Sequence, residues 1–400
     1  MTDAAPVPAP GALRLGMVAG ETSGDLLAAA VLRGLRGQLG DGAGGLHAAG
    51  IGGPAMTAGG FDAWCPAETL AVRGYVEVLR QYPRLRALRG QLRDRMLAWR
   101  PDLFVGVDAP DFNLGLERSL RESGLKTAHF IGPSIWAWRG ERIEAIRRSV
   151  DHMLLVFPFE PQIYADAGIP ATYVGHPLAD AIPLHADPDA ARRALGLPAH
   201  RPVVAVLPGS RASEVRYNAP TFVETIAWLA RRRPELVFVI PAATERLFGD
   251  LQHLLAGAAL PEGTDCRLIQ GRSHEAIAAA DTVLVASGTA TLEVALFRKP
   301  MVIAYKVAWL TYRIMRPMAY LPWIGLPNIL CRESLVPEFL QHTATPSALG
   351  AALLAQLDDP ALAARLAQRF GELHQTLRRD CAARAAEVLL TLAGRPGARA

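Results

Sequence analysis

Ser287, Gly288 and Thr289 stand between an apolar run, Thr282 to Val285, and an amphipathic segment, Leu292 to Phe297. The run reads as a buried strand and the segment as a helix. The chain is therefore expected to leave a strand, turn through small residues and open a helix with its first N–H groups unpaired. Unpaired donors and the positive end of the helix dipole attract an anion. The small side chains at 287–289 let a phosphate approach the backbone. Glu293 lies about one turn in, too deep to cap Ser287 in the S/T-x-x-E manner. A carboxylate beside a phosphate site suits ribose hydroxyls better than the phosphate. The alternative is a capped helix of an α/β domain with Glu293 solvated.

Three further loops carry chemistry. Gly20-Glu21-Thr22-Ser23-Gly24-Asp25 follows the apolar run Leu13 to Ala19 and precedes a helix over 26–39. It is not G-x-G-x-x-G, so a dinucleotide fingerprint is unsupported. Pro208-Gly209-Ser210-Arg211 follows another apolar run, and Arg211 can pair with phosphate oxygens as a fork. Asp108 is the first polar side chain after the run Leu103 to Val107. Ligands of open α/β sheets bind at that edge, so Asp108 is a candidate general base; the competing reading is a helix cap. Asp111 reads as a turn or N-cap residue.

The loop Gly132 to Arg139 holds Trp136, Trp138 and Arg139, which could hold a sugar or phosphate, or equally plug the loop against the core. His176, beside Pro177, reads as a hinge residue. Asp187-Pro188-Asp189 matches D-x-D by letter, but no strand precedes it and a helix follows. It reads as a cap, and no metal is expected there.

These loops need a frame. At 400 residues the chain is long enough for about two domains. The strand–helix alternation runs to about residue 180 and restarts near 202, so a cleft between two α/β halves is expected. The expected division is a disordered tail at 1–12, an N-terminal domain at 13–180, a C-terminal domain at 181–365 and a helical tail at 366–400. Four widely spaced cysteines argue against a disulfide framework and fit a reducing cytosol. A net charge of +4 is too mild to imply nucleic acid, and the N-terminus lacks the features of a signal peptide.

Residues 77–100 read as one long helix. Leu85, Leu88, Leu92, Met96 and Trp99 form an apolar stripe beside Arg86, Arg89, Arg93 and Arg100. Such a helix can lie on an anionic membrane surface, or it can be an ordinary surface helix. Residues 307–329 are apolar and aromatic, but Arg313, Arg316 and three prolines argue against a membrane span. An interfacial or acyl-binding segment fits better, with a buried helical cap as the alternative. Residues 347–393 read as two or three helices.

Taken in order, the loops at 20–25, 106–113, 133–139, 207–211 and 287–293, together with Leu326-Pro327-Asn328, resemble the lipid-A-disaccharide synthase family over about residues 13–393. The resemblance implies two Rossmann-like domains of the GT-B type, with C-terminal helices packing back on the N-terminal domain. It implies an inverting transferase that joins UDP-2,3-diacylglucosamine to 2,3-diacylglucosamine 1-phosphate through a β-1,6 bond, with no cofactor or metal. Carried over by position, Asp108 becomes the base. Gly209, Ser210, Arg211, Ser287, Gly288, Thr289, Glu293 and Asn328 become the UDP side. Glu21, Thr22, Ser23, Gly24, Asn113, Trp138 and Arg139 become the N-domain side of the cleft. The family also implies a cytoplasmic protein on the inner face of the inner membrane, peripheral contact with anionic lipid, and a homodimer. Rival readings are another GT-B enzyme, such as a UDP-N-acetylglucosamine epimerase or a cell-wall transferase, and a non-catalytic nucleotide-sugar or lipid-binding protein.

Overall fold

The computed structural model describes residues 11–20, 22–40, 45–70, 75–315, 318 and 320–395. The chain forms two compact units, Met1–Asp180 with Leu377–Ala400, and Ala181–Thr376. Each is an α/β unit built on one parallel sheet.

The first sheet has seven strands: β1 (Leu13–Ala19), β2 (Leu46–Gly52), β3 (Asp62–Pro66), β4 (Leu103–Val107), β5 (Thr127–Phe130), β6 (His152–Leu155) and β7 (Ala171–Tyr173). Their order is β3-β2-β1-β4-β5-β6-β7. The central strands are mostly apolar because helices cover both faces, and every residue of β4 and β5 is buried, Thr127 and His129 included. The order reverses between β1 and β4, and Ala19 pairs with Val107 at their carboxyl ends. The loops at 20–24 and 108–113 thus leave the sheet side by side at its switch point, where open sheets bind ligands.

The long helix spans Tyr75–Trp99. Its apolar stripe is largely used internally: Leu92 and Met96 are buried in one core with Phe104, Phe112 and Leu116, and Trp99 meets Trp64 edge-on. The basic face is left for solvent or a partner.

The C-terminal helix, Cys381–Leu392, packs on the helix Thr22–Leu39 of the same unit. Gln38 donates to Ala383 O at 2.7 Å, and a side chain at Gly34 would overlap Ala382 O. Asp180 fixes the re-entry by accepting from the N–H groups of Arg379, Asp380 and Cys381 at 3.1, 3.0 and 2.6 Å.

The second sheet has six strands: β8 (Val203–Leu207), β9 (Val237–Ala242), β10 (Asp265–Gln270), β11 (Thr282–Ala286), β12 (Met301–Tyr305) and β13 (Glu338–Leu340). The order β10-β9-β8-β11-β12-β13 reverses between β8 and β11. Leu207 pairs with Val285 there, so the loops at 208–211 and 287–289 emerge together. The helix Ala212–Ala230 seals one face by burying Phe222, Ile226 and Leu229 against Val204 and Phe238. Asp187 caps the helix Pro188–Ala194, its Oδ1 accepting from Ala190 N at 3.0 Å. The apolar stretch 307–329 contains two short helices, Trp309–Met315 and Leu326–Cys331. Among the described residues no helix is long and apolar enough to cross a membrane.

Candidate functional site

The switch point of the second sheet brings together the loops at 208–211 and 287–289. Gly209 has φ +129°, and a Cβ there would overlap Glu214, so only glycine lets the loop close on that carboxylate. Glu214 Oε2 accepts from Ser210 N at 3.0 Å and Arg211 N at 3.3 Å. Its other oxygen lies 3.5 Å from the Arg211 guanidinium, which stays 44% exposed. The carboxylate therefore aims Arg211 without burying it.

Across the switch point, Gly288 takes φ +145° and precedes the helix Thr289–Leu296 without a side-chain cap. No side chain caps its first N–H groups, and Thr291 N donates back to Gly288 O at 3.1 Å. A Cβ at Gly288 would touch nothing within 4 Å, so the glycine serves the backbone conformation. Ser287 Oγ donates to Ile324 O at 3.0 Å, and Thr291 Oγ1 closes the first turn on Gly288 O at 2.8 Å.

Glu293 lies 3.4 Å from His274 Nε2. His274 is raised above its ordinary pKa chiefly by its hydrogen bond to Glu293, against the opposing effect of burial. Its ring meets Phe297 at 5.3 Å. Sequence reading missed His274, because it lies on the connection from β10 to β11 and only folding brings it to Glu293. The Asn328 amide is engaged within its own turn. Its Oδ1 accepts from Leu335 N and Val336 N, and its Nδ2 donates to Val336 O and Glu338. All four positions of the amide are taken, so Asn328 shapes the turn that bonds Ser287.

At the switch point of the first sheet, Asp108 and Ala109 both adopt the left-handed region, with φ +51° and +44°. Such conformations cost about 1–3 kcal/mol each for non-glycine residues and cluster at functional sites. Asp108 N donates to Phe130 O at 2.9 Å. The helix Pro110–Glu122 is preceded by Ala109, so Asp108 is not its cap. Asp111 is not one either: it sits in the first turn, 83% exposed, and pairs with Arg142 at 2.6 Å. Asn113 is fully buried. It donates to the carbonyls of Val18, Val107 and Asp108 at 3.4, 3.3 and 2.8 Å, and so clamps the loop from within the fold.

The two readings of the tryptophan loop divide between its members. Trp136 packs edge-on against Phe157 and Phe159. Glu160, pushed up to about 7 by burial, bonds Trp136 and the N–H groups of Val156 and Phe157. Trp138 is partly exposed, with the Arg139 guanidinium 4.6 Å from its ring centre. Thr22, Ser23 and Gly24 open the helix beside Asp108; Glu21 lies outside the described residues. His176 is buried, and that pushes it down to about 4. Its Nδ1 accepts from Leu178 N and its N–H donates to Leu377 O, which suits a structural role at the chain's re-entry.

One sheet edge thus presents a strained carboxylate. The other presents a steered guanidinium, an uncapped helix start and a paired carboxylate. The model of the lipid-A-disaccharide synthetase family matches residues 15–389. The chain is 54% identical over 382 residues to the lipid-A-disaccharide synthase of Aromatoleum aromaticum, covering 95% of this chain and 96% of that one. It is 54% identical over 380 residues to the synthase of Burkholderia thailandensis, with the same coverage of each. Among solved structures, the UDP-GlcNAc 2-epimerase of Neisseria meningitidis bound to UDP-GlcNAc has a TM-score of 0.59 at 11% identity, covering 95% of this chain and 99% of that one. That likeness is one of fold, whereas the sequence match runs through both sheets and all the loops described, and the chain belongs to the lipid-A-disaccharide synthetase family.

Proposed function

We propose that this protein is an inverting glycosyltransferase. It condenses UDP-2,3-diacylglucosamine with 2,3-diacylglucosamine 1-phosphate, forming the β-1,6 disaccharide 1-phosphate of lipid A biosynthesis and releasing UDP. The observation that carries the reading is the placing of the family's loops at the switch points of both sheets, with a carboxylate on one and a guanidinium beside an uncapped helix start on the other. The acceptor is a primary alcohol, which needs a base as its proton leaves. Asp108 supplies it. A single displacement inverts the anomeric carbon and needs no protein nucleophile. The departing diphosphate gains charge, which Arg211 and the helix start at 287–289 meet as a preorganised cation and dipole. Glu293, steered by His274, binds the ribose.

UDP release from UDP-2,3-diacylglucosamine, with and without acceptor, in detergent with EDTA, tests the reading. Acceptor-dependent release with a disaccharide product is expected. Release without acceptor, or turnover of UDP-N-acetylglucosamine alone, would support hydrolysis or the epimerase chemistry of the structural relative. Bound UDP without release would support a binding protein.

Glu293→Ala is expected to weaken UDP binding about ten- to a hundredfold, the range for hydrogen bonds to a charged group. Isothermal titration with UDP checks it, and parental affinity would remove the ribose assignment.

Both substrates carry acyl chains, and the protein presents exposed aromatic residues: Trp309 is 69% and Tyr320 60% exposed, and Tyr82 stands out from the long basic helix. Arg313 lies 5.3 Å from the Trp309 ring centre. Aromatic anchors beside arginines suit the headgroup region of an anionic bilayer. The proposed location is the cytoplasmic face of the inner membrane. Flotation with anionic but not neutral vesicles is expected; absence from both would end the membrane reading.

A further inference from the structure

Beside the Asp108 loop lies a buried ion pair that the proposed reaction does not use. The helix Pro110–Glu122 carries Asn113 and Glu117 one turn apart, on the face it lays against β4. Gly106 of β4 makes that approach possible: a Cβ there would overlap Glu117 Oε1 and come within 3.0 Å of Asn113 Cβ. From β5, in register with Gly106, His129 places Nδ1 2.7 Å from Glu117 Oε1, with both side chains 0% exposed. The next residue, Phe130, accepts the Asp108 N–H at 2.9 Å. Ile131 follows in the left-handed region at φ +67°, a rare state for a β-branched residue. Two strained turns therefore leave adjacent strands directly above the pair.

The cluster is expensive as packing. Asn113 Oδ1, Glu117 Oε2 and His129 Nε2 are buried without a hydrogen-bond partner among the described residues. Apolar residues of similar volume would fill this space at lower cost. Buried orphans of this kind ask for a reason beyond stability. Burial alone would depress His129, yet the Glu117 carboxylate and, less strongly, Asp108 raise it. Glu117 in turn is raised by burial against the pull of His129. The charged groups acting on His129 are Glu117 from the helix and Asp108 from the end of β4. On β6 the nearest titratable side chain, His152, is engaged with Thr172 at 2.8 Å.

We propose that Glu117 and His129 are a positioning pair for Asp108: bonded to each other beneath the ends of β4 and β5, they hold the turn that aims the Asp108 carboxylate at the acceptor hydroxyl and set a positive charge near it. This rests on Asp108 being the base. Asn113 completes the support by holding the Asp108 carbonyl.

The test uses the full-length protein with Glu117→Gln, which keeps a hydrogen-bond acceptor for His129 and removes the charge. His129→Gln serves as a second, independent variant should the first fail to fold. Each is made alone and in the Asp108→Asn background. Rate against pH, UDP affinity and melting temperature are measured. In the single variants kcat is expected to fall about a hundredfold, the scale of a misplaced catalytic group. The acid limb of kcat/KM moves to higher pH, because Asp108 loses the nearby cation, and UDP affinity holds. In the Asp108→Asn background neither change costs more. An unmoved acid limb, or an equal loss in both backgrounds, overturns the pair and leaves a packing role. Parental turnover in Asp108→Asn itself overturns the base reading, and the pair's catalytic role with it.

Discussion

Asp108→Asn is expected to lower turnover by about 10²–10⁴ while UDP binds as in the parent, the usual range for loss of a general base. Asparagine is the informative substitution. It matches aspartate in shape and is among the residues most tolerant of the left-handed region, where Asp108 sits at φ +51°. Alanine would place further strain on a turn already held in two left-handed steps. Asn113 and Phe130 grip the Asp108 backbone, and those contacts survive the change, so a lost rate reports the carboxylate. The groups proposed to hold UDP belong to the other compact unit, which is why UDP affinity should not move. Steady-state kinetics with acceptor, beside UDP titration, separates the two quantities. Turnover within a few-fold of the parent would remove Asp108 from the role.

Arg211→Ala is expected to cost roughly 3–4 kcal/mol in kcat/KM, by analogy with the loss of a preorganised donor at a developing negative charge. The main chain of that loop should persist, because Glu214 holds the N–H groups of Ser210 and Arg211 whatever the side chain is. The loss then belongs to the guanidinium. Arg211→Lys keeps the charge but not the planar fork, so it should recover only part of the rate. Because the leaving diphosphate gains charge along the reaction, kcat should fall with kcat/KM; an effect confined to KM would mean that Arg211 binds substrate and transition state equally. Unchanged kcat/KM in the alanine variant would exclude Arg211 from the diphosphate.

Much of this architecture is legible in the chain. The strands at 13–19, 103–107 and 282–286 match their apolar runs because helices cover both faces of each sheet. Edge strands carry no such signal. β3, β7 and β13 are short and only partly buried, and nothing in Asp62–Pro66 or Glu338–Leu340 alternates clearly. The helix that follows the Arg211 loop starts directly after it, at Ala212. The apolar stripe of the long helix was visible, but whether it faces lipid or core was not. Leu92 and Met96 lie in the core, since Phe104 and Phe112 reach them from elements that follow in sequence.

The sequence by itself determined which loops lie at the strand ends where the chemistry is proposed, because a strand, a small-residue turn and a helix start are local features written in consecutive residues. It also pointed to Asp108, Arg211 and Glu293. Only the tertiary structure decided what holds them. His274 reaches Glu293, Glu117 faces His129, Asn113 turns inward to three carbonyls and Asn328 saturates itself within its own turn. Each of these depends on sheet order, helix rotation or loop closure. Hydrogen-bond partners are chosen by distance in space, and a polar residue's type records that it needs a partner without recording which one.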